Sequence, residues 1–352
     1  MYKVGICGHF AIGHELVNGQ IDKTKSVYKA LAKALGEEQI TILDTRGWKK
    51  NPLKLFLNCK KMLDECENII MLPAHGGVRI FPLLFDKLNS KKRKLHYIVI
   101  GGWLPELLKN DAKLLKQIKR LDRVYVELEC MRTALLDLGV ENAVYMPNFK
   151  ETNALRNSEL ILSQKLPLRL CTFSRIMEEK GIERAIEAVR TINREHGKTV
   201  FELDIFGTPE PKYKERFEII CKGFEPYIKY KGFINTDSST QTLKDYFAVL
   251  FPTKYHGEGF PGTIVSAFAA GVPVIATDWR YNATIIRNGI DGMVYDPHKP
   301  ELLAKILVEA AKKPELFNNM KPACLERAAH FDADTAVKTL LKELESEKEV
   351  HI

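Results

Sequence analysis

The residue types best suited to chemistry lie between Leu250 and Asp296, in LFPTKYHGEGFPGTIVSAFAAGVPVIATDWRYNATIIRNGIDGMVYD. A strand is expected to end there, a glycine-rich turn to follow, and a helix to begin near Thr263. A helix N-terminus offers N–H groups and partial positive charge to an anion. Gly257, Gly259 and Gly262 let a ligand approach the backbone closely. Glu258 projects from the turn, and its carboxylate can accept hydrogen bonds from sugar hydroxyls. A phosphate would prefer the N–H groups beside it. Other candidates are weaker. Gly5, Gly8 and Gly13 with Asp44 hint at dinucleotide binding, but the spacing is not G-x-G-x-x-G. Asp332-Ala333-Asp334 has a metal-binding spacing, yet it directly precedes a helix, where N-capping is the better reading. His75, in PAHGGVRIF, follows a strand and opens a glycine turn. It reads equally as an acceptor-side residue or as a structural turn histidine. The histidines show no zinc-ligand spacing, and no Ser-His-Asp or Cys-His arrangement is visible.

The elements that must position these residues alternate in type. Strands are expected at Tyr2–Cys7, Gln39–Leu43, Asn68–Leu72, Leu95–Ile100, Arg123–Val126 and Ala143–Met146. Helices are expected between them at Lys25–Leu35, Leu53–Cys66, Ile80–Leu88, Ala112–Leu121 and Met131–Leu138. The polar run Glu151–Lys165 reads as a linker. The pattern then restarts with strands at Arg169–Phe173, Phe201–Phe206, Tyr227–Lys231, Ala248–Phe251, Val274–Ala276 and Met293–Val294. The second set of helices is Ile182–Asn193, Tyr213–Cys221, Thr263–Ala270, Pro300–Ala311 and Asp334–Leu344. Alternation of this kind means parallel βαβ units. It predicts an α/β first domain over 1–157 and an α/β second domain over 158–330; the C-terminal helical segment over 331–352 is a separate expectation, to pack back on the first. Open parallel sheets bind ligands beyond the carboxyl ends of their strands. Two facing sheets of this kind would form a cleft suited to joining two separately bound substrates.

Composition narrows the class. The 352 residues are 45% hydrophobic and 28% charged, ordinary for a globular chain. Seven scattered cysteines without C-x-x-C argue for a reducing cytoplasm rather than a disulfide framework. No run of about 18 apolar residues suggests a membrane span, and the N-terminus reads as a strand rather than a signal peptide. The net charge of +8 is uneven. Residues 1–150 hold 25 Lys/Arg against 16 Asp/Glu, and residues 46–123 hold 18 against 7. Such a face attracts an anionic leaflet, nucleic acid or an acidic substrate, or is simply a solvated lysine-rich surface. No aromatic-interleaved basic motif supports nucleic acid.

The Glu258 region resembles the C-terminal half of the GT-B-fold retaining glycosyltransferases, glycosyltransferase family 4 (glycosyl transferases group 1). That family's Glu–Gly–Phe turn, helix and small–Gly–x–Pro–Val–Ile–Ala run is matched by Glu258-Gly259-Phe260 and by Ala270-Gly271-Val272-Pro273-Val274-Ile275-Ala276. Asn288-Gly289-Ile290-Asp291-Gly292 is similar to its later loop. Upstream, CTFSRIMEEKGIERAIEAV carries the family's Arg, Lys and Gly as Arg175, Lys180 and Gly181. Two cations at a strand's carboxyl end can neutralise a departing diphosphate. Taken alone, the pair reads as salt bridges to Glu178 or Glu179. LDIFGTP, with Gly207, and KYKGFI, with Phe233, look like the strands lining the nucleobase pocket. CGHFAIGHELVNGQIDKTKSVYKAL looks like the first strand, loop and helix, which implies that Gly19 and Gln20 face the donor phosphates with Lys23 or Lys25 nearby. YMPNFK resembles the end of the first domain in bacterial polysaccharide-assembly members. One departure stands out: the second glutamate, which typically holds the donor ribose eight residues after the first, is Ser266.

The resemblance implies a GT-B fold of two facing Rossmann-like domains. It implies transfer of a sugar, with retention and without metal or cofactor, from a nucleotide diphosphate sugar to a glycan or lipid-linked acceptor. Arg175, Lys180 and Glu258 would be catalytic. Gly19, Gln20, Gly207, Phe233, Gly259, Phe260, Pro261, Gly262, Thr263 and Ser266 would bind the donor. His75 would lie on the acceptor side. The setting would be capsule, O-antigen or exopolysaccharide assembly in the cytoplasm, peripheral to the inner face of an anionic membrane, with no nucleic-acid partner. Two alternatives stay open: a non-catalytic nucleotide-sugar-binding protein and a GT-B-fold sugar-nucleotide epimerase.

Overall fold

The computed structural model describes residues 1–13, 19–149, 153–235 and 238–346. The chain divides into two units, Met1–Glu151 with Phe331–Ile352, and Thr152–His330. The division falls earlier than 157. Within the polar run, Leu155 is buried and donates its N–H to Ala269 O at 2.9 Å, so this stretch already belongs to the second unit.

The first unit is a parallel sheet of β1 (Tyr2–Gly8), β2 (Ile40–Asp44), β3 (Cys66–Met71), β4 (Lys94–Ile98), β5 (Arg123–Val126) and β6 (Ala143–Tyr145). The strand order is β2-β1-β3-β4-β5-β6. Val4, Ile6, Ile69, Ile70, Tyr97 and Val124 are all fully buried, as expected of strands covered on both faces. The first helix runs Gly19–Leu35, starting earlier than the expected Lys25. Ile21, Thr24, Val27, Ala30 and Leu31 form one buried stripe, and Ile21 extends it into the stretch read as loop. A helix at Leu104–Lys109 was not foreseen. It is only six residues long, too short to show a period.

The C-terminal helix Ala333–Glu345 packs within this first unit. Its buried residues Ala333, Ala336, Val337, Leu340 and Leu344 share a core with Val27, Ala30 and Leu31. Asp332 caps it by accepting from Asp334 N and Thr335 N at 3.0 and 3.3 Å. At its far end Glu343 receives Arg123 Nε at 2.6 Å.

The second unit is a parallel sheet of β7 (Leu168–Phe173), β8 (Phe201–Phe206), β9 (Ile228–Gly232), β10 (Ala248–Phe251), β11 (Val274–Thr277) and β12 (Gly292–Tyr295), in the order β12-β11-β10-β7-β8-β9. Relative to chain order this is the doubly wound 3-2-1-4-5-6 arrangement, whose direction reverses between β7 and β10. The helix Pro314–Ala329 was missed by the sequence reading. It contains Pro322 and buries Asn318 and Lys321, which blurs the apolar stripe. Lys321 donates from Nζ to Tyr246 O at 3.1 Å, and burial pulls its pKa down to about 8. Among the described residues no helix is long and apolar enough to cross a membrane.

Leu340 is fully buried in the shared core, whereas the Lys33–Asp334 ion pair at the same helix is exposed. Leu340→Ala should therefore cost about 2–5 kcal/mol and Lys33→Ala at most about 1 kcal/mol. Urea unfolding followed by hydrogen exchange reads both, with the loss of protection expected in residues 1–149 and the C-terminal helix. A loss confined to residues 153–330 would contradict this packing.

Candidate functional site

The candidate residues of the second unit converge where its strand order reverses. Arg175 and Lys180 follow β7, and Glu258 follows the neighbouring β10. Lys180 Nζ forms an ion pair with Glu258 Oε1 although 78 residues separate them. The side chains are only 9% and 7% exposed, so this is a buried charge pair and not a surface bridge to Glu178 or Glu179. Thr253 adds a hydrogen bond, donating from Oγ1 to the same Glu258 oxygen at 3.0 Å. Lys180 Nζ also lies 5.2 Å from the Phe251 ring centre and 5.1 Å from that of Tyr255. Arg175 sits 5.5 Å from the Tyr255 ring. Among the described residues its carboxylate neighbour is Glu210, 4.0 Å away, and its side chain is 40% exposed. One tyrosine thus lies near both cations, and Arg175 remains open to an anion from solution.

The two loops are held at close range by a glycine. Gly181 has φ +71°, and a Cβ there would lie 2.2 Å from Pro252 O. Only glycine accepts both the left-handed backbone and that approach. Lys254 N then donates to Glu179 O at 2.6 Å, fastening one loop to the other. Behind them, Thr277 Oγ1 donates to Thr253 O at 2.5 Å and Trp279 Nε1 to Tyr255 O at 2.9 Å.

The turn then enters the helix Gly262–Ala269 through Pro261, whose backbone is extended. Gly259, Phe260 and Pro261 are buried, and Gly262 and Thr263 are half-buried. Thr263 Oγ1 donates to Phe173 O at 2.6 Å, tying this helix start to the end of β7. The positive end of the helix, Lys180 and Arg175 therefore belong to the ends of two adjacent strands. Such a set can favour an anion, with Lys180 already paired to Glu258 and Arg175 the cation open to solvent.

Gly207 and Phe233 follow the neighbouring strands β8 and β9. Gly207 has φ +139°, and a Cβ would lie 1.8 Å from Ser174 O, beside Arg175. Its carbonyl accepts from Tyr230 Oη at 2.9 Å. Phe233 is 52% exposed, a large ring at the sheet's edge. Ser266 is fully buried, with Oγ 3.4 Å from Ser239 Oγ. The Asn288–Gly292 turn is also an internal brace. Arg287 bonds the buried Asp291 through N and Nε at 2.8 and 2.6 Å.

The first-unit candidates are distributed differently. Gly19 and Gln20 open the first helix rather than sitting in a loop. Gln20 Nε2 donates to Leu72 O at 3.4 Å. Lys23 is buried, bonds Asn148 Oδ1 at 2.9 Å and pairs with Glu127 at 3.4 Å. Burial lowers its pKa, with Glu127 opposing that shift. It is thus a structural lysine and not an open phosphate ligand. The His75 ring packs edge-to-face on Trp103 at 5.1 Å. Sequence reasoning missed Thr253 and Tyr255, although both lie in the quoted loop. Threonine and tyrosine carry no charge to draw attention, and their roles depend on Lys180 arriving from a distant segment.

Residues 156–326 match the family model for glycosyl transferases group 1. The GtfA subunit of a UDP-N-acetylglucosamine–peptide N-acetylglucosaminyltransferase from Streptococcus gordonii is 32% identical over 252 residues, covering 68% of this chain and 47% of that protein. The amylovoran biosynthesis glycosyltransferase AmsK of Erwinia amylovora is 27% identical over 150 residues, covering 42% of this chain and 36% of AmsK. The chain spans less than half the length of the curated relatives it matches. Among solved structures, HepE of Anabaena in complex with UDP superposes with a TM-score of 0.75 at 16% identity, covering 99% of this chain and all of HepE. The Staphylococcus aureus TarM structure gives 0.62 at 18% identity over 83% of this chain and 59% of its own. The likeness to these structures, with two parallel six-stranded α/β sheets, is that of the expected GT-B fold class. Over residues 156–326 the chain carries a glycosyltransferase group 1 domain of the GT-B type.

Proposed function

We propose that the protein is a retaining, metal-independent glycosyltransferase of family 4 that uses a nucleotide diphosphate sugar in capsule, O-antigen or exopolysaccharide assembly. The observation that carries this reading is the buried Lys180–Glu258 pair at the start of the helix Gly262–Ala269, beside exposed Arg175. In the reaction the bond from the anomeric carbon to the diphosphate oxygen breaks. The acceptor hydroxyl bonds to that carbon, and its proton leaves with the diphosphate. Arg175, Lys180 and the N–H groups near Phe260–Thr263 stabilise the charge as it develops. Glu258, oriented by Lys180 and Thr253, accepts from the sugar hydroxyls. Gly207 and Phe233 border the base, and Ser266 stands where the family carries its ribose-holding glutamate. The acceptor is a glycan or a lipid-linked sugar, taken by the first unit. Support comes from the AmsK relative, named for amylovoran biosynthesis, and from HepE, solved with UDP-glucose.

Arg175→Ala should lower turnover about 100–1,000-fold without loss of stability, since that side chain is largely in solvent. Lys180→Ala should be at least as severe, and it strands the Glu258 carboxylate at a stability cost of about 3–5 kcal/mol. The double variant Lys180→Met/Glu258→Gln removes that stranded charge and should recover stability but not turnover. Nucleoside diphosphate release from a panel of nucleotide sugars, beside thermal unfolding, reads all three. Near-normal turnover in Arg175→Ala and in the double variant would remove the diphosphate role.

Peripheral attachment to an anionic leaflet is part of the same proposal. The helix Pro52–Glu65 exposes Leu53 (68%), Phe56 (39%) and Leu57 (57%) at i, i+3 and i+4, flanked by Lys54, Lys60 and Lys61. Apolar side chains ringed by lysines suit insertion at a charged interface. Sedimentation with phosphatidylglycerol vesicles should fall as salt rises, since surface charge is screened within about 8 Å at physiological ionic strength. Phe56→Ser/Leu57→Ser should weaken it further. Equal sedimentation with phosphatidylcholine vesicles, or none at low salt, would contradict the attachment.

A further inference from the structure

The first unit has a strand-end recess of its own. In the order β2-β1-β3 the chain reverses direction around β1, and a hollow of about 300 Å³ opens at the carboxyl ends of these three strands. Its wall holds two cations, Arg46 and Lys49, both exposed and without an ion pair among the described residues. Trp48 stands between them in the chain, half-buried and fixed edge-to-face on Phe81 at 5.6 Å. His9 completes the set. Its Nε2 is buried and finds no hydrogen-bond partner among the described residues, an expensive state unless a ligand satisfies it.

Asp44, at the end of β2, does not neutralise these cations at close range, because its carboxylate is committed elsewhere. Oδ1 accepts from Phe10 N and Arg46 N at 3.2 and 3.0 Å, and Oδ2 from Ile12 N at 3.0 Å. Burial pushes the carboxyl up, but these three N–H donors, together with the nearby His9 ring, outweigh it and hold the pKa below the ordinary value. Asp44 thus shapes the loop that carries His9 and the one that carries Arg46. Gly76, also in the wall, has open space where a Cβ would point.

From this combination we infer that the recess binds a sugar carrying a phosphoryl group, with the ring against Trp48 and the phosphate between Arg46, Lys49 and His9. Two cations, and a ring nitrogen that donates in the tautomer carrying its proton there, match a phosphate, while an indole suits the apolar face of a pyranose. The volume is at the lower end for small-molecule sites, about 300–1,000 Å³, as befits a monosaccharide phosphate. Its role as the acceptor rests on the glycosyltransferase reading; the binding itself does not. The phosphate could be that of a free sugar phosphate or of a lipid-linked sugar.

Calorimetry with the full chain tests it, using glucose 1-phosphate, its decyl phosphodiester, glucose and inorganic phosphate. Glucose 1-phosphate should bind, glucose should bind at least about tenfold more weakly, and Arg46→Gln and Lys49→Gln should each cost about tenfold. Trp48→Ala should weaken glucose 1-phosphate and leave inorganic phosphate unchanged. Tighter binding of the decyl ester, lost in Phe56→Ser/Leu57→Ser, identifies the lipid-linked source; equal binding of the two identifies the soluble one. Glucose binding as well as glucose 1-phosphate, or undiminished binding in both charge variants, overturns the inference. Uridine diphosphate serves as the separate reporter of the second unit. Its binding should survive Arg46→Gln and be lost in Lys180→Ala, so failure of the recess and failure of the donor site are distinguishable.

Discussion

Neither a lysine ammonium nor a glutamate carboxylate can be buried alone without a cost of several kcal/mol. Lys180 and Glu258 are buried together, so the loops after β7 and β10 must arrive in register before either is stable. Much of the second unit's local detail serves that requirement. Gly181 passes under Pro252 O because a side chain there would hold the loops apart. Thr253 binds the shared carboxylate oxygen while its own carbonyl is held by Thr277. Thr263 fastens the following helix to the end of β7. The charge pair that organises the site is thus also the pair proposed to work in it, which couples its chemistry to its folding.

Each unit, taken by itself, obeys the same topological rule. A doubly wound sheet leaves a crevice wherever consecutive connections depart to opposite faces. In the second unit that point lies between β7 and β10 and is furnished with Arg175, Lys180 and a helix start. In the first it lies beside β1 and is furnished with His9, Arg46, Trp48 and Lys49. Similar scaffolds therefore present different chemistry through the residues that follow their strands, and it is these residues that carry functional meaning.

What could be read from sequence follows the range of the interactions involved. Strands such as Phe201–Phe206 and Ala248–Phe251 were legible to the residue, because local apolar runs define them. Arg175, Lys180 and Glu258 stood out through local motifs. Their mutual contact did not, because it joins positions 78 apart, and no short-range pattern distinguishes Glu258 from Glu178 or Glu179 as the lysine's partner. The helix Pro314–Ala329 was hidden by the polar groups it buries, and Lys23 gave no sign that Glu127 would enclose it. The recess around Trp48 was within reach of sequence reasoning: TRGWKK directly follows the strand ending at Asp44, where a cation and an indole at a carboxyl end merit attention.

The central claim is that the reversal point of the second unit holds a nucleotide diphosphate sugar. Hydrogen–deuterium exchange of the full chain, with and without each member of a nucleotide-sugar panel, tests it most directly. At least one member should slow exchange in the segments 174–181 and 253–263 together, because the ligand must engage both loops at once. Protection confined to one of the two segments, or none with any nucleotide sugar, would contradict the account.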